Sequence, residues 1–357
     1  MRKNIDLLLG NLISKGKLPQ ALLWEKVDDA GSKCGMCQRR CVIKENDTGY
    51  CGTVANVGGV LYTLIYGVIS SAASDPIEKK PVFHFMPSSS VFSIGTLGCN
   101  FKCKFCQNWQ IAYSDAIEPN RHCQRDISPD AVVESAIENN CQGIAWTYNE
   151  PAIWVNYALD CAKLAKKSNL YTVYVTNGYS TPEALDLIAP YLDVYRVDIK
   201  SMNDDFYKKL IKVGSSQGIR EVAERAKHKW DMHIECVTNI IPGWNDSDEE
   251  IKQMADWIIH KLGDDTPWHL TRFFPNAQMN DVPPTSPETL IRCVKTAKEQ
   301  GLKFVYIGNI AIPLGENTYC PNCGKLNIER DIYTTKIVGL APNGNCKYCG
   351  ENLNIVI

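Results

Sequence analysis

Residues 95–109 read GTLGCNFKCKFCQNW and follow the apolar run 91–94, which is typical of a buried strand. Cys99, Cys103 and Cys106 have the spacing C-x3-C-x2-C on the loop that follows this strand. Three thiolates on one short loop can hold three irons of a 4Fe–4S cluster and leave the fourth iron without a protein ligand. An iron in that state is open to chelation by a small molecule, much as a catalytic zinc keeps one position free.

A zinc knuckle is the alternative interpretation of these three cysteines. A structural zinc site closes with four ligands, and here the fourth would be His122 or Cys123, well downstream of the loop. The distance to those residues favours the iron–sulfur interpretation.

Strand and helix patterns alternate along the chain after the cysteine loop. Six further β-rich runs lie at 144–148, 170–176, 192–199, 233–237, 268–274 and 303–307. Helix starts are predicted by a capping hydroxyl before proline or before a capping box, at Ser128, Thr181, Ser286 and Ser247. Gly263 and Gly301 are typical of helix ends. Strands joined by helical crossovers predict an α/β fold with a parallel sheet, in which chemistry lies at the carboxyl ends of the strands.

A second group of cysteines precedes the predicted sheet. It has the spacing C-x2-C-x3-C-x9-C, formed by Cys34, Cys37, Cys41 and Cys51. Four thiolates on tight turns are enough to close a metal site. Thiolates suit both a structural zinc and an auxiliary iron–sulfur cluster, so the spacing leaves the metal open.

A third group of cysteines lies in the tail. Its spacing, C-x2-C-x22-C-x2-C, is formed by Cys320, Cys323, Cys346 and Cys349. A glycine follows each pair, as in zinc knuckles, and two knuckles form a zinc ribbon. Because a segment this short has little core of its own, we expect zinc here to supply much of its folding energy.

Charge and apolar patterning exclude several classes of protein. The 38 Lys and Arg nearly balance the 40 Asp and Glu, so no nucleic-acid surface is indicated. There is no run long enough to span a membrane, and residues 1–16 are typical of an amphipathic helix rather than a signal peptide. C-x2-C pairs without a secretory signal favour metal sites in a reducing cytoplasm. The five remaining cysteines are interpreted as small buried hydrophobes: Cys123, Cys141, Cys161, Cys236 and Cys293.

The loop with Phe105 before its third cysteine resembles the C-x3-C-x-aromatic-C signature of radical S-adenosylmethionine (SAM) enzymes. The resemblance implies a cytoplasmic, oxygen-sensitive oxidoreductase in which SAM chelates the open iron of a 4Fe–4S cluster and is cleaved to start radical chemistry. It also implies a partial (β/α)6 parallel barrel. The predicted division is then an N-terminal helix and four-cysteine module (1–90), the radical SAM core (91–312) and a zinc ribbon (313–357).

Turns after successive strands resemble the SAM-binding turns of this superfamily. Residues 147–151 (TYNEP) are similar to its Gly-Gly-Glu-Pro turn, with Tyr148 and Asn149 in place of the glycines. Segments 175–178, 198–200 and 239–246 resemble turns of the glycyl-radical-enzyme (pyruvate formate-lyase) activating enzymes. Val175 replaces an aspartate of those enzymes, which puts a monovalent cation in doubt. The residues that the resemblance assigns to SAM binding are Glu150, Asn149, Thr176, Asn177, Asp198 and Lys200.

The arrangement over nearly the whole chain resembles the radical SAM enzyme of the AmmeMemoRadiSam system. The implied partners are a small electron donor of the ferredoxin or flavodoxin type and other proteins of that system. A glycyl-radical-enzyme activase is the alternative within the class, and a non-catalytic zinc-ribbon protein that binds RNA or protein is the alternative outside it. The sequence does not identify the substrate, a catalytic side chain, the oligomeric state or the C–S bond of SAM that is cleaved.

Overall fold

The computed structural model describes residues 5–27, 31–113, 116, 124–310 and 315–357. It divides into two compact units, the first formed by Met1–Ser74 with Val91–Asp193 and the second by Asp75–Ser90 with Val194–Ile357. The predicted three-part division, with boundaries after residues 90 and 312, follows the cysteine groups and stays a prediction. Cys123 and His122 lie outside the described residues.

The first unit combines small antiparallel sheets with a parallel α/β layer. Its helices are α1 (Ile5–Ser14), α2 (Trp109–Ala112), α3 (Pro129–Glu138), α4 (Val155–Lys167) and α5 (Pro182–Ile188). Its strands are β1 (Trp24–Val27), β2 (Gly31–Cys34), β3 (Val42–Ile43), β4 (Val54–Val57), β5 (Val60–Thr63), β6 (Ser71–Pro76), β7 (Ser90–Gly95), β8 (Gly143–Trp146) and β9 (Tyr171–Thr176). The predicted N-terminal helix is therefore confirmed over Ile5–Ser14.

The parallel layer of the first unit carries the cysteine loop. Strands β7, β8 and β9 pair in parallel, with Ile94 opposite Trp146 and Trp146 opposite Tyr174. All four residues of β8 are buried, as expected for a central parallel strand covered on both faces. The carboxyl ends of β7, β8 and β9 therefore lie side by side, and the loops that follow them meet at one edge.

The second unit contains a parallel sheet and an antiparallel tail. Its helices are α6 (Asp204–Phe206), α7 (Gln217–Trp230), α8 (Asp248–Lys261) and α9 (Pro287–Glu299). Its strands are β10 (Val194–Asp198), β11 (His233–Ile240), β12 (Trp268–Arg272), β13 (Val305–Gly308), β14 (Thr318–Tyr319), β15 (Leu326–Asp331) and β16 (Thr334–Ile337). Strands β10 to β13 pair in parallel in chain order, and β14 to β16 form an antiparallel sheet. The predicted parallel α/β fold is confirmed; the six-stranded partial barrel stays a prediction.

Local hydrogen bonds explain where the long helices begin and end. Each predicted capping hydroxyl accepts a hydrogen bond from the backbone N–H three residues ahead, at Ser128, Thr181, Ser247 and Ser286. Gly263 and Gly301 follow α8 and α9 with φ of +110° and +114°, a region that glycine enters without steric cost. Within the described ranges, no helix has the length and apolar character needed to cross a bilayer.

Candidate active site and metal centres

The loop after β7 gathers three thiols. Cys99 Sγ accepts a hydrogen bond from Phe101 N at 3.4 Å, and Cys106 N donates to the Cys103 carbonyl at 3.0 Å. Burial raises the pKa of the Cys99 thiol well above its ordinary value, and the nearby Glu150 and Cys103 add to the effect. A positively charged metal core would reverse this penalty, since it stabilises thiolates that the protein alone disfavours. The donor set therefore fits a cluster held by three cysteines.

The cysteine loop is closed by the short helix that follows it. Gly98 N donates to the Ile111 carbonyl at 2.9 Å, and Lys102 Nζ donates to the Ala112 carbonyl at 3.1 Å. The Tyr113 hydroxyl donates to the Cys103 carbonyl. These bonds hold the loop backbone independently of any bound group, so the thiols are presented by a largely preformed turn.

The turn after β8 is attached to the same loop. Asn149 Nδ2 donates to the Gly98 carbonyl at 2.8 Å, and its Oδ1 accepts from Thr96 N at 3.2 Å. Tyr148 has φ of +71°, a conformation that glycine adopts easily and that other residues adopt at a cost. Although tyrosine replaces the glycine of the resembled motif, the backbone keeps a glycine-like path.

Glu150 is fully buried and links two turns of the first unit. Its Oε1 accepts from Ala152 N at 2.9 Å and from Thr176 Oγ1 at 2.7 Å, and its Oε2 accepts from Asn177 N at 2.7 Å. The carboxylate thus ties the turn after β8 to the turn after β9. This geometry suits a residue that positions the neighbouring groups.

The turn after β9 reaches the cysteine loop through two asparagines. Asn177 Nδ2 donates to Asn100 Oδ1 at 2.8 Å and lies 3.9 Å from Cys99 Sγ. Asn100 is fully buried, and its role was not anticipated from the sequence. Its position directly after the first cysteine is the signal that could have pointed to it. Of the six predicted SAM residues, the structure brings together Asn149, Glu150, Thr176 and Asn177 around the cysteine loop.

The other two predicted SAM residues, Asp198 and Lys200, lie in the second unit at the end of β10. Lys200 Nζ donates to Asp198 Oδ2 at 2.6 Å, and Arg196 donates to the other carboxylate oxygen. Burial alone would raise the pKa of Asp198, but the two cations hold it below its ordinary value. The carboxylate is therefore ionised near neutral pH, and it neutralises part of the local positive charge.

The tail brings its four cysteines into direct contact. The sulfurs of Cys320 and Cys349 are 3.5 Å apart, those of Cys323 and Cys346 are 3.7 Å apart, and all four lie within 4.8 Å of one another. Tetrahedral coordination with Zn–S bonds of about 2.3 Å places sulfurs about 3.8 Å apart. These thiols are thus spaced for a single metal ion.

The two tail turns are local copies of each other. Gly324 N donates to the Cys320 carbonyl at 2.9 Å, and Gly350 N donates to the Cys346 carbonyl at 2.8 Å. Both glycines have positive φ, +71° and +82°. The repetition agrees with the two predicted zinc knuckles, while the identity of the metal stays a prediction.

The N-terminal cysteines lie on two turns of the first unit, with Cys34 and Cys37 buried and Cys41 and Cys51 partly exposed. Burial raises the pKa of Cys34 to about 12, and the pKa of Cys37 is raised for the same reason. In both cases the neighbouring thiols of Cys51 and Cys41 add to the rise in pKa. Thr53 Oγ1 donates to Cys51 Sγ at 3.0 Å. The donor set fits a metal group with four thiolate ligands.

A buried polar network in the second unit was not anticipated from the sequence. Glu235 on β11 is fully buried and accepts from the backbone N–H groups of Phe83 and His84 at 2.7–3.0 Å. His269 Nε2 lies 2.6 Å from Glu235 Oε2, and His233 Nε2 lies 3.0 Å from Oε1. The sequence signal that could have revealed this network is the pair of polar residues, His233 and Glu235, at alternate positions of an otherwise buried strand.

The same network reaches the tail through His84. Its Nδ1 lies 2.9 Å from the Leu353 carbonyl, which can only accept, so Nδ1 carries the proton. Nε2 then accepts a hydrogen bond from the Tyr306 hydroxyl at 2.6 Å. The Tyr306 hydroxyl is also hydrogen-bonded to the Thr318 hydroxyl, which accepts a hydrogen bond from Arg330. Burial lowers the pKa of His84 to about 3. Because the network lies near the amino ends of β11 to β13, it is suited to stabilising the fold.

Comparison with known proteins supplies the family context. A family model described as the Radical SAM superfamily matches residues 93–258, which include the cysteine loop. An uncharacterised protein of Methanocaldococcus jannaschii is 42% identical over 339 residues, covering 95% of this chain and 99% of that protein.

Two activating enzymes are similar over shorter stretches. The (2S)-3-sulfopropanediol sulfolyase activating enzyme of Bilophila wadsworthia is 29% identical over 119 residues, covering 33% of this chain and 39% of that enzyme. The pyruvate formate-lyase 1-activating enzyme of Escherichia coli (strain K12) is 22% identical over 166 residues, covering 45% of this chain and 65% of that enzyme. The chain thus spans less than two thirds of the length of either activating enzyme.

Proposed function

This chain belongs to the radical SAM superfamily, and we propose that it cleaves SAM reductively with a 4Fe–4S cluster held by Cys99, Cys103 and Cys106. The observation that supports the proposal most directly is that all three thiols lie on one loop at the end of β7, which is held by hydrogen bonds to the helix that follows it. The radical formed would act on a substrate that the proposal leaves open.

The protein groups around the loop would bind and orient SAM. When bound, the cluster supplies the single electron that breaks a C–S bond of SAM. Asn149 and Asn177 hold the backbone beside the thiols, and the N–H donors near Cys99 Sγ stabilise its thiolate form. Glu150 fixes the turns after β8 and β9 relative to each other, and Thr176 takes part through its hydroxyl. These residues act by positioning.

We also propose a role in SAM binding for Asp198 and Lys200. The Lys200 ammonium group would attract the SAM carboxylate. Asp198 orients that ammonium group by accepting a hydrogen bond of 2.6 Å from Lys200 Nζ. An ionised Asp198 could also accept from the SAM amino group, because its side chain is 25% exposed.

The remaining metal sites are proposed from their thiol sets. The sulfur spacing in the tail supports one zinc ion held by Cys320, Cys323, Cys346 and Cys349. The N-terminal set, Cys34, Cys37, Cys41 and Cys51, would hold either a second zinc or an auxiliary iron–sulfur cluster.

Electron supply and cellular setting follow from the proposed chemistry. A reductive cleavage needs a low-potential one-electron donor, and a small ferredoxin or flavodoxin fits that requirement. A reducing compartment such as the cytoplasm would keep the 11 cysteines of the three sets available for metals. Other proteins of the AmmeMemoRadiSam system are the partners proposed from the resemblance.

The alternative outside the class, a non-catalytic zinc-ribbon protein that binds RNA or protein, is not favoured, because the chain belongs to a superfamily of enzymes. A glycyl-radical-enzyme activase remains the second candidate, since two relatives are named as activating enzymes. Those relatives match at most 45% of this chain, so the likeness to activating enzymes covers less than half of it.

Anaerobic spectroscopy and product analysis test the proposed function. Reduced protein should show an iron–sulfur EPR signal that SAM perturbs, and it should form 5′-deoxyadenosine when SAM and a strong reductant are present. The Cys103→Ala variant should lose both results, whereas Cys141→Ala, at a buried single cysteine, should keep them. A reconstituted wild-type protein that binds iron and never cleaves SAM would refute the proposal.

A further inference from the structure

The N-terminal cysteine module is packed directly against the catalytic cysteine loop. A Cβ atom on Gly98, the residue before Cys99, would lie 2.6 Å from the Cys51 carbonyl and 2.4 Å from Thr53 Cγ2. Gly98 has φ of +79°, so this close approach is built into the backbone. A ligand of one thiol set is therefore almost in contact with the chain that carries the other set.

Arg39 forms a second link between the module and the loop. Its Nε donates to the Asn100 carbonyl at 2.6 Å, and its guanidinium lies 3.5 Å from the centroid of the Tyr50 ring. Tyr50 directly precedes Cys51, and Asn100 directly follows Cys99. Arg39 thus connects the neighbour of a ligand in one set to the neighbour of a ligand in the other set.

The turn after β9 is shared by both cysteine sets. Gln38 N donates to the Tyr179 carbonyl at 3.1 Å, and Thr181 Oγ1 donates to the Gly35 carbonyl at 2.6 Å. The other end of that turn, Asn177, reaches Asn100 beside Cys99. One rigid turn therefore fixes the distance between the module and the catalytic loop.

The N-terminal sulfurs are spaced differently from those of the tail. All four N-terminal cysteines are described residues, yet they do not form a group as compact as the tail sulfurs, which form the one compact metal-ligand group among the described residues. The same holds for Cys99, Cys103 and Cys106. A single zinc needs sulfurs about 3.8 Å apart, whereas a core of several irons and sulfides holds its thiolates farther apart. The N-terminal set and the set at Cys99, Cys103 and Cys106 thus both lack the compact grouping that suits a single zinc ion.

We propose that Cys34, Cys37, Cys41 and Cys51 bind a second iron–sulfur cluster, seated against the loop of the catalytic cluster. The inference rests on the proposed function in that Cys99, Cys103 and Cys106 are taken to hold the first cluster. The second cluster is a one-electron carrier: it gains one electron from a donor of the ferredoxin or flavodoxin class and loses it to the adjacent site. No covalent bond forms or breaks in this exchange.

The two proposed clusters differ in the number of protein thiolates that bind them, four at the N-terminal set and three at the loop after β7. A cluster with four protein thiolates has no open iron, so SAM has no position to occupy there. SAM should perturb the EPR signal of the cluster at Cys99, Cys103 and Cys106 and leave the signal of the second cluster unchanged. When both clusters are reduced, their proximity should broaden each signal through magnetic coupling.

Metal analysis of the full-length wild-type protein, purified and reconstituted without oxygen, tests the inference. We expect about eight irons, about eight sulfides and one zinc per chain, for two clusters and the tail site. About four irons with two zincs, and an EPR signal that SAM perturbs, would overturn the inference and leave the proposed function intact. A protein without iron would overturn both.

Matched variants assign the second cluster to its ligands. Cys41→Ala, at a partly exposed ligand, should lower the iron content from about eight to about four and keep the SAM-perturbed signal. Cys349→Ala, at an exposed cysteine of the tail, should keep about eight irons and lose the zinc. Retention of all the iron in Cys41→Ala would overturn the assignment. If that variant does not fold, the wild-type metal content and the coupling between the two EPR signals decide the question.

Discussion

Single residues hold the cysteine loop after β7 and the neighbouring turns in shape. Glu150 receives three donors from two different turns and has no exposed surface. Asn149 forms side-chain hydrogen bonds to two backbone groups of the loop after β7. In each case a side chain satisfies backbone groups that would otherwise be buried without partners, and such groups are costly to leave unpaired.

Glu150→Gln should destabilise the protein although it changes the size of the side chain very little. The glutamine NH2 group would face donors that now point at a carboxylate oxygen, so at least one buried donor loses its acceptor. We expect the free energy of unfolding to fall by about 1–3 kcal/mol. Denaturant titration measures this, with Glu138→Gln at the exposed end of α3 as the control. Equal stability of the two variants would contradict the expectation.

Gly98→Ala tests the close approach between Gly98 and the N-terminal module. The new methyl group would overlap the Cys51 carbonyl, and the backbone would keep a φ that disfavours alanine. We expect a loss of about 2–5 kcal/mol in the free energy of unfolding, together with weaker iron retention.

The control for Gly98 is Gly214→Ala, where a Cβ meets no atom within 4 Å. Its stability should stay within about 1 kcal/mol of the wild type. If Gly98→Ala were as stable as this control, the module would not be packed on the loop as described.

At the scale of elements, the tail is a small sheet organised by two cysteine turns. Cys320 and Cys346 are buried with Ile328, Leu353 and Ile355 in one apolar cluster of the second unit. The other two ligands, Cys323 and Cys349, are exposed. A metal ion would therefore connect the apolar cluster to the outer knuckles.

Cys323→Ala should abolish zinc binding by the tail. We expect the amides of β14 to β16 to lose protection from hydrogen exchange, because structural zinc contributes on the order of 10–16 kcal/mol in small zinc domains. Exchange followed by mass spectrometry, with zinc quantified in parallel, measures both effects. Cys236→Ala, at a buried single cysteine on β11, serves as the control that keeps zinc. Unchanged protection in the zinc-free variant would show that the tail folds without metal.

At the scale of the whole chain, the His84 network makes stability depend on pH. The folded protein keeps His84 neutral, with a pKa lowered by burial to about 3, against 6.5 in the unfolded chain. Between these values the unfolded state binds one more proton than the folded state. Stability from this residue is therefore complete above pH 6.5 and falls as the pH drops, by about 1.4 kcal/mol per pH unit.

His84→Gln should remove this contribution to the pH dependence. The variant loses hydrogen bonds to Leu353 and Tyr306 and should be less stable at neutral pH, but its deficit should shrink between about pH 6.5 and pH 5. Tyr306→Phe loses one of the same bonds and keeps the histidine, so its deficit should change less with pH. Urea titrations across this range compare the three proteins. A His84→Gln deficit that is constant with pH would contradict the mechanism.

Much of the secondary structure followed from local signals. The capping hydroxyls at Ser128 and Thr181 act within one helical turn, so the sequence was sufficient to place them. The predicted strand 144–148 ends earlier in the structure, at Trp146, because Tyr148 adopts a positive φ. The predicted strand 233–237 is longer in the structure and reaches Ile240. Strand ends depend on partners in the sheet, which no local pattern encodes.

The three sets of thiols and the alternation of strand and helix could be predicted from the sequence, because ligand spacing and apolar periodicity are properties of neighbouring residues. The sequence did not predict that Cys51 lies against Gly98, that Asn149 holds the loop after β7, or that Glu235 accepts hydrogen bonds from the backbone of Phe83 and His84. These contacts join residues far apart in the chain. They are selected by packing and by the need to pair buried polar groups, and both act only once the chain has folded.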